Sequence, residues 1–531
     1  IQSCDFALGN YAYVEDQDDS ELKTFSIERD KQYIIPFIHE PQKKEKDLCF
    51  LASPWSPPAF MKTNGDMNHG GKLKKEYYGM WAKIVARYVS EYEKEGIKIS
   101  RLTVQNEPNA TQTWDSCLFT GSEEQEYVCN YLRAALDQAG HNDVKINVWD
   151  HNKERVLDRA LESLSTEEAE KVRTFHKTLD GYAKTPLRNL AKTAKILGLK
   201  GLYVKDESYR FGLNAFKGLG GSYALAKVLA EKTGKAMDDL TSIARGTFTF
   251  VTATDGNHGR GVAWAAQHLG QKAVIYMPKG SRRERLENIR KLGAEAEITS
   301  VNYDDTVRLA SRMAEEKGWI LVQDTAWEGY ETIPRWIMQG YMTMAHEAVE
   351  DLKDVVPTHV FLQAGVGAMA GSITGFLARY YGKNMPRLSI VEPKAASCLY
   401  KTAAANDGKL HAVTGNLASM MAGLCCGEVC TLGWDVIKHH ASHFFSVDDS
   451  VAAFGMRLLG NPAKGDPAII SGESGAVTMG LVYCLMVDPE LTGMKHALGL
   501  TAQSIVLCIS TEGDTDQENY RKVVWDGMNH S

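Results

Sequence analysis

Hydrophobic residues in this chain follow two rhythms. Short apolar runs of strand length alternate with longer stretches whose apolar positions recur every three or four residues, the pattern of buried strands and amphipathic helices. In the first part, "LCFLASPW", "RLTVQNEP" and "VKINVWDHN" alternate with helical segments, among them "EYYGMWAKIVARYVSEYEKEG". This predicts repeated βα units. Ser122 followed by Gln125 has capping-box spacing and predicts a second helix start. Near Arg159 the text changes. Ser165 and Glu168 repeat that spacing, and Ala169, Val172 and Phe175 follow at helical intervals, so a new helix begins there. From that point "GLYVKD", "TFTFVTAT", "KAVIYMP", "WILVQD", "THVFLQAG", "RLSIVEP" and "SIVLCIST" read as buried strands, each near a helical segment, which predicts an open α/β architecture. No internal repeat or low-complexity linker separates the halves, and the boundary is placed at about residue 160, giving regions 1–160 and 161–531.

Composition narrows the picture. A chain of 531 residues with 44% hydrophobic and 24% charged residues is long enough for more than one core and has ample apolar surface to bury. The net charge of −7, with no long run of lysine and arginine, gives nucleic acid no electrostatic footprint. The uncharged stretch Val360–Ala378 has the length of a membrane span, but it contains Gln363, four glycines, Ser372 and Thr374. It reads as a buried strand, loop and helix rather than a membrane segment. Ten scattered cysteines without zinc-site spacing predict reduced thiols and no metal. The absence of a basic segment followed by an apolar one at the N-terminus predicts a cytoplasmic protein.

Three segments after residue 160 carry candidate chemistry. In "KDESYRFGLNAFKGLGGSYALAKVLAEK", Lys217 lies between an apolar pair and a glycine cluster that opens a helix. Apolar surroundings and a helix N-terminus both lower an amine's pKa, favouring the neutral form that makes a Schiff base. In "THVFLQAGVGAMAGSITGFLARYY", Gly365, Gly367 and Gly371 are spaced so that backbone N–H groups converge on an anion, although such glycines also ease helix packing. In "TATDGNHGRGVAWAAQHLG", Asn257 is suited to hydrogen-bond a phenolic oxygen and Asp255 presents a carboxylate at the same turn. Taken alone, Asp255 reads better as a helix cap.

In this order the segments resemble the fold type II pyridoxal-phosphate enzymes, and within them the diaminopropionate ammonia-lyases. The likeness continues through "NYDDTVRLA", "VQDTAWEGYETIPRWIMQGY", "MAGLCCGE", "ISGESGAV" and "STEGDTD". It implies two open α/β domains, pyridoxal 5'-phosphate as cofactor, a small amino acid as substrate and a homodimer. Lys217 would carry the cofactor and act as one base. Asp255, in the slot where related racemases and dehydratases have serine, would act as the second base on the opposite face. Asp324 would grip the substrate's second ammonium. Gly365, Val366, Gly367, Ala368 and Met369 would cradle the phosphate, and Ser510 or Thr511 would face the pyridine nitrogen. The implied reaction is α,β-elimination of D- and L-2,3-diaminopropionate to pyruvate and ammonia. A threonine or serine dehydratase is the alternative, and Asp255 in place of serine counts against it.

The first region holds "TVQNEPNATQTWD" at a strand end, with Asn106 and Glu107 where a barrel presents catalytic side chains. Together with "SCDFALGNYAYVEDQDD", "ASPWSPPAFMKTNG" and "VWDHNKERV", it resembles glycoside hydrolase family 30, the glucosylceramidase-like enzymes, which implies Glu107 as general acid/base. A retaining glycosidase needs a second carboxylate across the sugar. The strand that carries it in the family has no counterpart here, so the region is expected to be an incomplete (β/α) barrel fragment that packs poorly. Three accounts stay open: an inactive remnant fused to a lyase, a carbohydrate-binding piece using Trp55, Trp114 and Trp149, or a reading frame joined from two genes.

Overall fold

The computed structural model describes residues 9–45, 48–148, 150, 163–254, 256–327, 329–415 and 417–529. They form two units, Ile1–Ser163 and Leu164–Ser531. In the first, the predicted runs become β1 (Phe50–Ala52), β2 (Ile99–Thr103) and β3 (Lys145–Asn147), paired in parallel with β2 in the middle. Helix α1 (Tyr78–Lys94) buries Trp81, Ile84, Val85, Tyr88 and Val89 in one core with Leu102 and Leu136. Asp30 is fully buried beside this core and accepts hydrogen bonds from the hydroxyls of Tyr11, Tyr13 and Tyr92. The expectation of poor packing is therefore corrected. The fragment has its own apolar core, and its buried carboxylate is fully satisfied. The three strands among the described residues are far from the eight that close a (β/α) barrel.

The capping box of the second helix is displaced from the predicted position. Thr120 Oγ1 accepts from Glu123 N at 3.2 Å, and Glu123 accepts from Thr120 N at 2.7 Å, so the helix begins at Gly121. The spacing Thr120 to Glu123 satisfies the same rule two residues earlier, with a carboxylate in the helix's first turn, where the dipole favours it.

The second unit opens with α2 (Thr166–Lys177), capped by Ser165 Oγ, which accepts from Glu168 N at 3.1 Å. Glu168's carboxylate accepts instead from Tyr223 Oη (3.2 Å) and pairs with Lys171 (3.3 Å). All seven apolar runs carry strand. The larger sheet has the order β12-β11-β10-β13-β5-β4 and contains β4 (Leu187–Asn189), β5 (Gly201–Asp206), β10 (His359–Gln363), β11 (Arg387–Pro393), β12 (Ala441–Val447) and β13 (Ile505–Ser510). Its pairings are parallel except that of β4 with β5. The smaller sheet is wholly parallel, in the order β8-β7-β6-β9, with β6 (Thr249–Ala253), β7 (Lys272–Met277), β8 (Glu295–Ile298) and β9 (Ile320–Leu321).

The helices that frame the site are α3 (Gly218–Thr233), α4 (Asn257–His268), α5 (Thr332–Leu352), α6 (Ala368–Tyr381) and α7 (Glu473–Val487). Loops leaving the carboxyl ends of β5, β6, β9, β10 and β13 converge on one cavity, where open parallel sheets bind ligands. No helix among the described residues is long and apolar enough to cross a membrane.

Candidate active site

The chain between β5 and α3 is held from below. Arg210 bonds to Glu207 and Glu347, and Lys205 Nζ bonds to Glu347 Oε2 (2.7 Å) and Thr185 O (2.7 Å). These four charged side chains are wholly buried. Two cations and two carboxylates cancel, so no net charge is left in the interior. The network ties β5 and the following turn to α5. Above it the backbone passes through positive φ at Phe211 (51°) and Asn214 (54°), and it delivers Lys217 to the N-cap of α3.

Three helices meet under Lys217 through glycines. A Cβ at Gly340 of α5 would lie 2.5 Å from Leu219 O, and one at Gly261 of α4 would lie 2.8 Å from Lys217 O. The glycine cluster thus permits backbone-to-backbone approach, beyond opening the helix.

Lys217 Nζ donates to Asp324 Oδ2, just beyond β9, and lies 5.3 Å from the Phe216 ring centroid and 5.7 Å from that of Tyr341. The expected neutral amine is corrected here. Burial pulls the lysine's pKa down, but the Asp324 carboxylate outweighs it and holds the ammonium above the ordinary lysine range. Burial would raise Asp324, yet the neighbouring His258 and Lys217 bring its carboxyl down to about 2. His258 is itself buried. Its Nε2 bonds to Val322 O at 2.8 Å, and its Nδ1 lies 3.8 Å from Asp324 Oδ2.

Phe216, Lys217, His258 and Asp324 border an open cavity of about 910 Å³, its mouth included, which Asn257, Thr511, Glu512 and residues 364–370 also line. Gly367 takes φ +98° immediately before α6, turning the chain so that the helix's unpaired first-turn N–H groups face the cavity mouth of residues 365–369. A Cβ at Gly365 would lie 3.3 Å from Leu424 Cα, so this wall is narrow. Gly371 has another task. Its N–H donates to Gly367 O (2.8 Å), and a Cβ there would lie 2.7 Å from Gly433 Cα, which makes it a packing glycine and not part of the cradle.

Thr511 also lines the cavity, and its Oγ1 accepts from Gln363 Nε2 (3.0 Å). Ser510 is fully buried and donates to Ser471 Oγ at 2.8 Å, away from the cavity. Of the two hydroxyls expected near the pyridine nitrogen, the structure brings Thr511 to the site. Ser474 Oγ, in the first turn of α7, borders the cavity and has no hydrogen-bond partner among the described residues. An anion cradle, a lysine and neutral hydroxyls lining one cavity fit pyridoxal phosphate. Asp255 lies outside the described residues.

Residues 178–493 match the family described as pyridoxal-phosphate dependent enzyme. The diaminopropionate ammonia-lyase of Salmonella typhimurium is 51% identical over 400 residues, spanning 73% of this chain and 99% of that protein. The chain belongs to the diaminopropionate ammonia-lyase family. A crystal structure of diaminopropionate ammonia lyase from Escherichia coli, in complex with an aminoacrylate-PLP azomethine reaction intermediate, is 51% identical. It aligns with a TM-score of 0.65 over 69% of this chain and 94% of that one. The family likeness therefore favours the ammonia-lyase over the dehydratase alternative and carries pyridoxal phosphate as its cofactor.

Residues 1–197 match the glycosyl hydrolase family 30 TIM-barrel domain. The lysosomal acid glucosylceramidase of Mus musculus is 33% identical over 160 residues, which is 28% of this chain and 31% of that enzyme. This part of the chain spans about a third of that relative. Glu107 follows β2 with φ +43° and accepts from Gln112 Nε2 at 2.9 Å. Asp150, just beyond β3, accepts from Ser53 Oγ at 2.5 Å. Trp55 and Trp114 are described, with Trp114 about half exposed, while Trp149 is outside the described residues.

Sequence reasoning passed over His258, Glu512 and Tyr341. His258 stood in the quoted "DGNHGRG" beside Asn257. Glu512 stood in "STEGD" and ties Asn257 Nδ2 to the N-terminus of α7 through Ser474 N (3.0 Å). Tyr341 sits mid-helix among apolar residues and carried no signal.

Proposed function

We propose that residues from about 161 onward catalyse α,β-elimination of D- and L-2,3-diaminopropionate, releasing pyruvate and ammonia. The observation that carries this reading is an ionised, buried Asp324 facing the cavity beside Lys217. A fixed carboxylate there is suited to grip a substrate side chain that ends in an ammonium, and serine has no such group.

Pyridoxal phosphate, when bound, supplies a sink for the electron pair left at Cα. Lys217 would hold it and, when free, would take the Cα proton on one face. Asp255 would serve as the base on the other face, which would allow use of both enantiomers. The first turn of α6, with Gly365, Val366, Gly367, Ala368 and Met369, receives the phosphate. Asn257 would donate to the phenolic oxygen, and Thr511, in preference to Ser510, would offer the pyridine nitrogen a neutral hydroxyl. We place the lyase in the cytoplasm as a homodimer, and we read residues 1–160 as a glycosidase remnant with Glu107 a vestigial acid/base.

Pyruvate release by the purified protein tests the substrate. Diaminopropionate should turn over faster than serine or threonine, and the reverse order would remove the assignment. Lys217→Ala should abolish turnover, and Asp255→Asn should impair one enantiomer more than the other.

A further inference from the structure

Lys217 presents a chemical difficulty. An amine must be neutral to attack a carbonyl, yet Asp324 holds it as an ammonium. The proton needs somewhere to go, and although the Lys217 side chain is 20% exposed at the cavity, the groups nearest its ammonium are Asp324 and, behind it, His258, whose side chains are 7% and 4% exposed.

His258 has the geometry to receive it. The Val322 carbonyl can only accept, so the 2.8 Å bond fixes the ring proton on Nε2 and leaves Nδ1 as the basic atom. That Nδ1 is buried without a hydrogen-bond partner among the described residues, and it faces Asp324 Oδ2 at 3.8 Å. An orphaned basic nitrogen against a carboxylate is costly unless a proton comes between them. Asp324 Oδ2 is also the atom that Lys217 holds. One oxygen therefore touches the proton's source and faces its destination.

We propose that His258 is a positioning residue that receives, through Asp324, the proton Lys217 must give up before it can capture the cofactor. The Nζ–H bond breaks with its electron pair left on Nζ, and Oδ2 takes the proton and passes it on. An N–H bond forms at Nδ1. Asp324 ends as it began, a carboxylate, now paired with an imidazolium, and the net charge of the trio is unchanged. The charged groups facing His258 are Asp324 and Lys217; burial and the Lys217 ammonium disfavour a charged ring while Asp324 favours it, so the proton rests on Nδ1 only once Lys217 has lost its charge. Tyr303 and Cys426, which also border Asp324, are kept neutral by burial.

The inference rests on Lys217 as the cofactor lysine, and the experiment separates the two. Full-length apoprotein is mixed with pyridoxal phosphate across a range of pH, and capture is followed by absorbance. Lys217→Ala tests the parent reading, which fails if this variant still captures covalently. His258→Gln keeps an N–H for Val322 O but has no basic nitrogen. It should capture about 10²-fold more slowly near neutral pH, the usual worth of a positioned proton acceptor. The deficit should close as pH rises towards the lysine range, where solvent base takes over. Parallel pH profiles for wild type and His258→Gln would overturn the relay. In wild-type protein labelled with ¹⁵N-histidine, Nδ1 of His258 should become protonated on capture. An Nδ1 left unprotonated overturns the proposal even if the variant fails to fold.

Discussion

At the scale of single residues, the lysine's place was legible and its charge was not. "FKGLGG" located Lys217 at a helix start, but the group that sets its protonation is 107 residues away, beyond any local pattern. Asp324 is the residue on which selectivity should turn. Asp324→Asn removes the charge while keeping the shape. A hydrogen bond to a charged group is worth about 1.5–3 kcal/mol, so kcat/KM for diaminopropionate should fall by about 10- to 100-fold, with serine affected far less. Equal losses on both substrates would mean that Asp324 only orders the site. A second carboxylate gives a pH signature. Glu473 is pushed up to about 7 by burial and then by the Glu512 carboxylate. Because its folded-state value is raised, the folded protein binds the extra proton, and stability is lost as pH rises from the ordinary glutamate range through about 7. The unfolding temperature of the lyase unit should decline across that window, and Glu473→Gln should flatten the decline.

At the scale of elements, strands buried on both faces announced themselves as unbroken apolar runs, as in "RLSIVEP" for β11. β8 did not, because "EAEI" lies at a sheet edge and is mostly exposed, and β4 is only three residues long. The two features that hold Lys217 in place are long-range and were equally hidden. One is the glycine contact of α3 with α5. Gly340→Ala would drive a methyl against Leu219 O, and overpacking of this kind costs about 1–3 kcal/mol. The loss should appear as a lower unfolding temperature together with weaker cofactor retention, because α3 carries the lysine. The other is the buried network. Glu347→Gln would leave Arg210 and Lys205 with Glu207 as the remaining carboxylate of the four, and breaking a buried pair costs about 3–5 kcal/mol. A denaturant midpoint close to wild type would show that the network is dispensable.

At the scale of the whole molecule, two grammars in one sequence became two units with separate cores, and among the described residues the second presents a furnished cavity. The first unit shows why a motif is not a site. Glu107 stands where a barrel would place an acid/base, but the described residues supply three strands of a barrel's eight. The 2.9 Å bond from Gln112 already occupies one of its carboxylate oxygens. Retaining hydrolysis needs a second carboxylate about 5–5.5 Å away across the scissile bond, and the described residues beyond β3 turn Asp150 onto Ser53. The intact chain should therefore release no sugar from aryl glucosides or xylosides, and Glu107→Gln should change neither that result nor pyruvate formation. A chain beginning at Leu164 retains every group assigned to the elimination, along with the core built around Leu202, Val204 and Val506. Its turnover per cofactor should match that of the intact protein, since every group assigned to the elimination lies after Leu164. A drop would mean that residues before 164 support the lyase. Glycoside hydrolysis lost with Glu107→Gln would show that half a barrel still works.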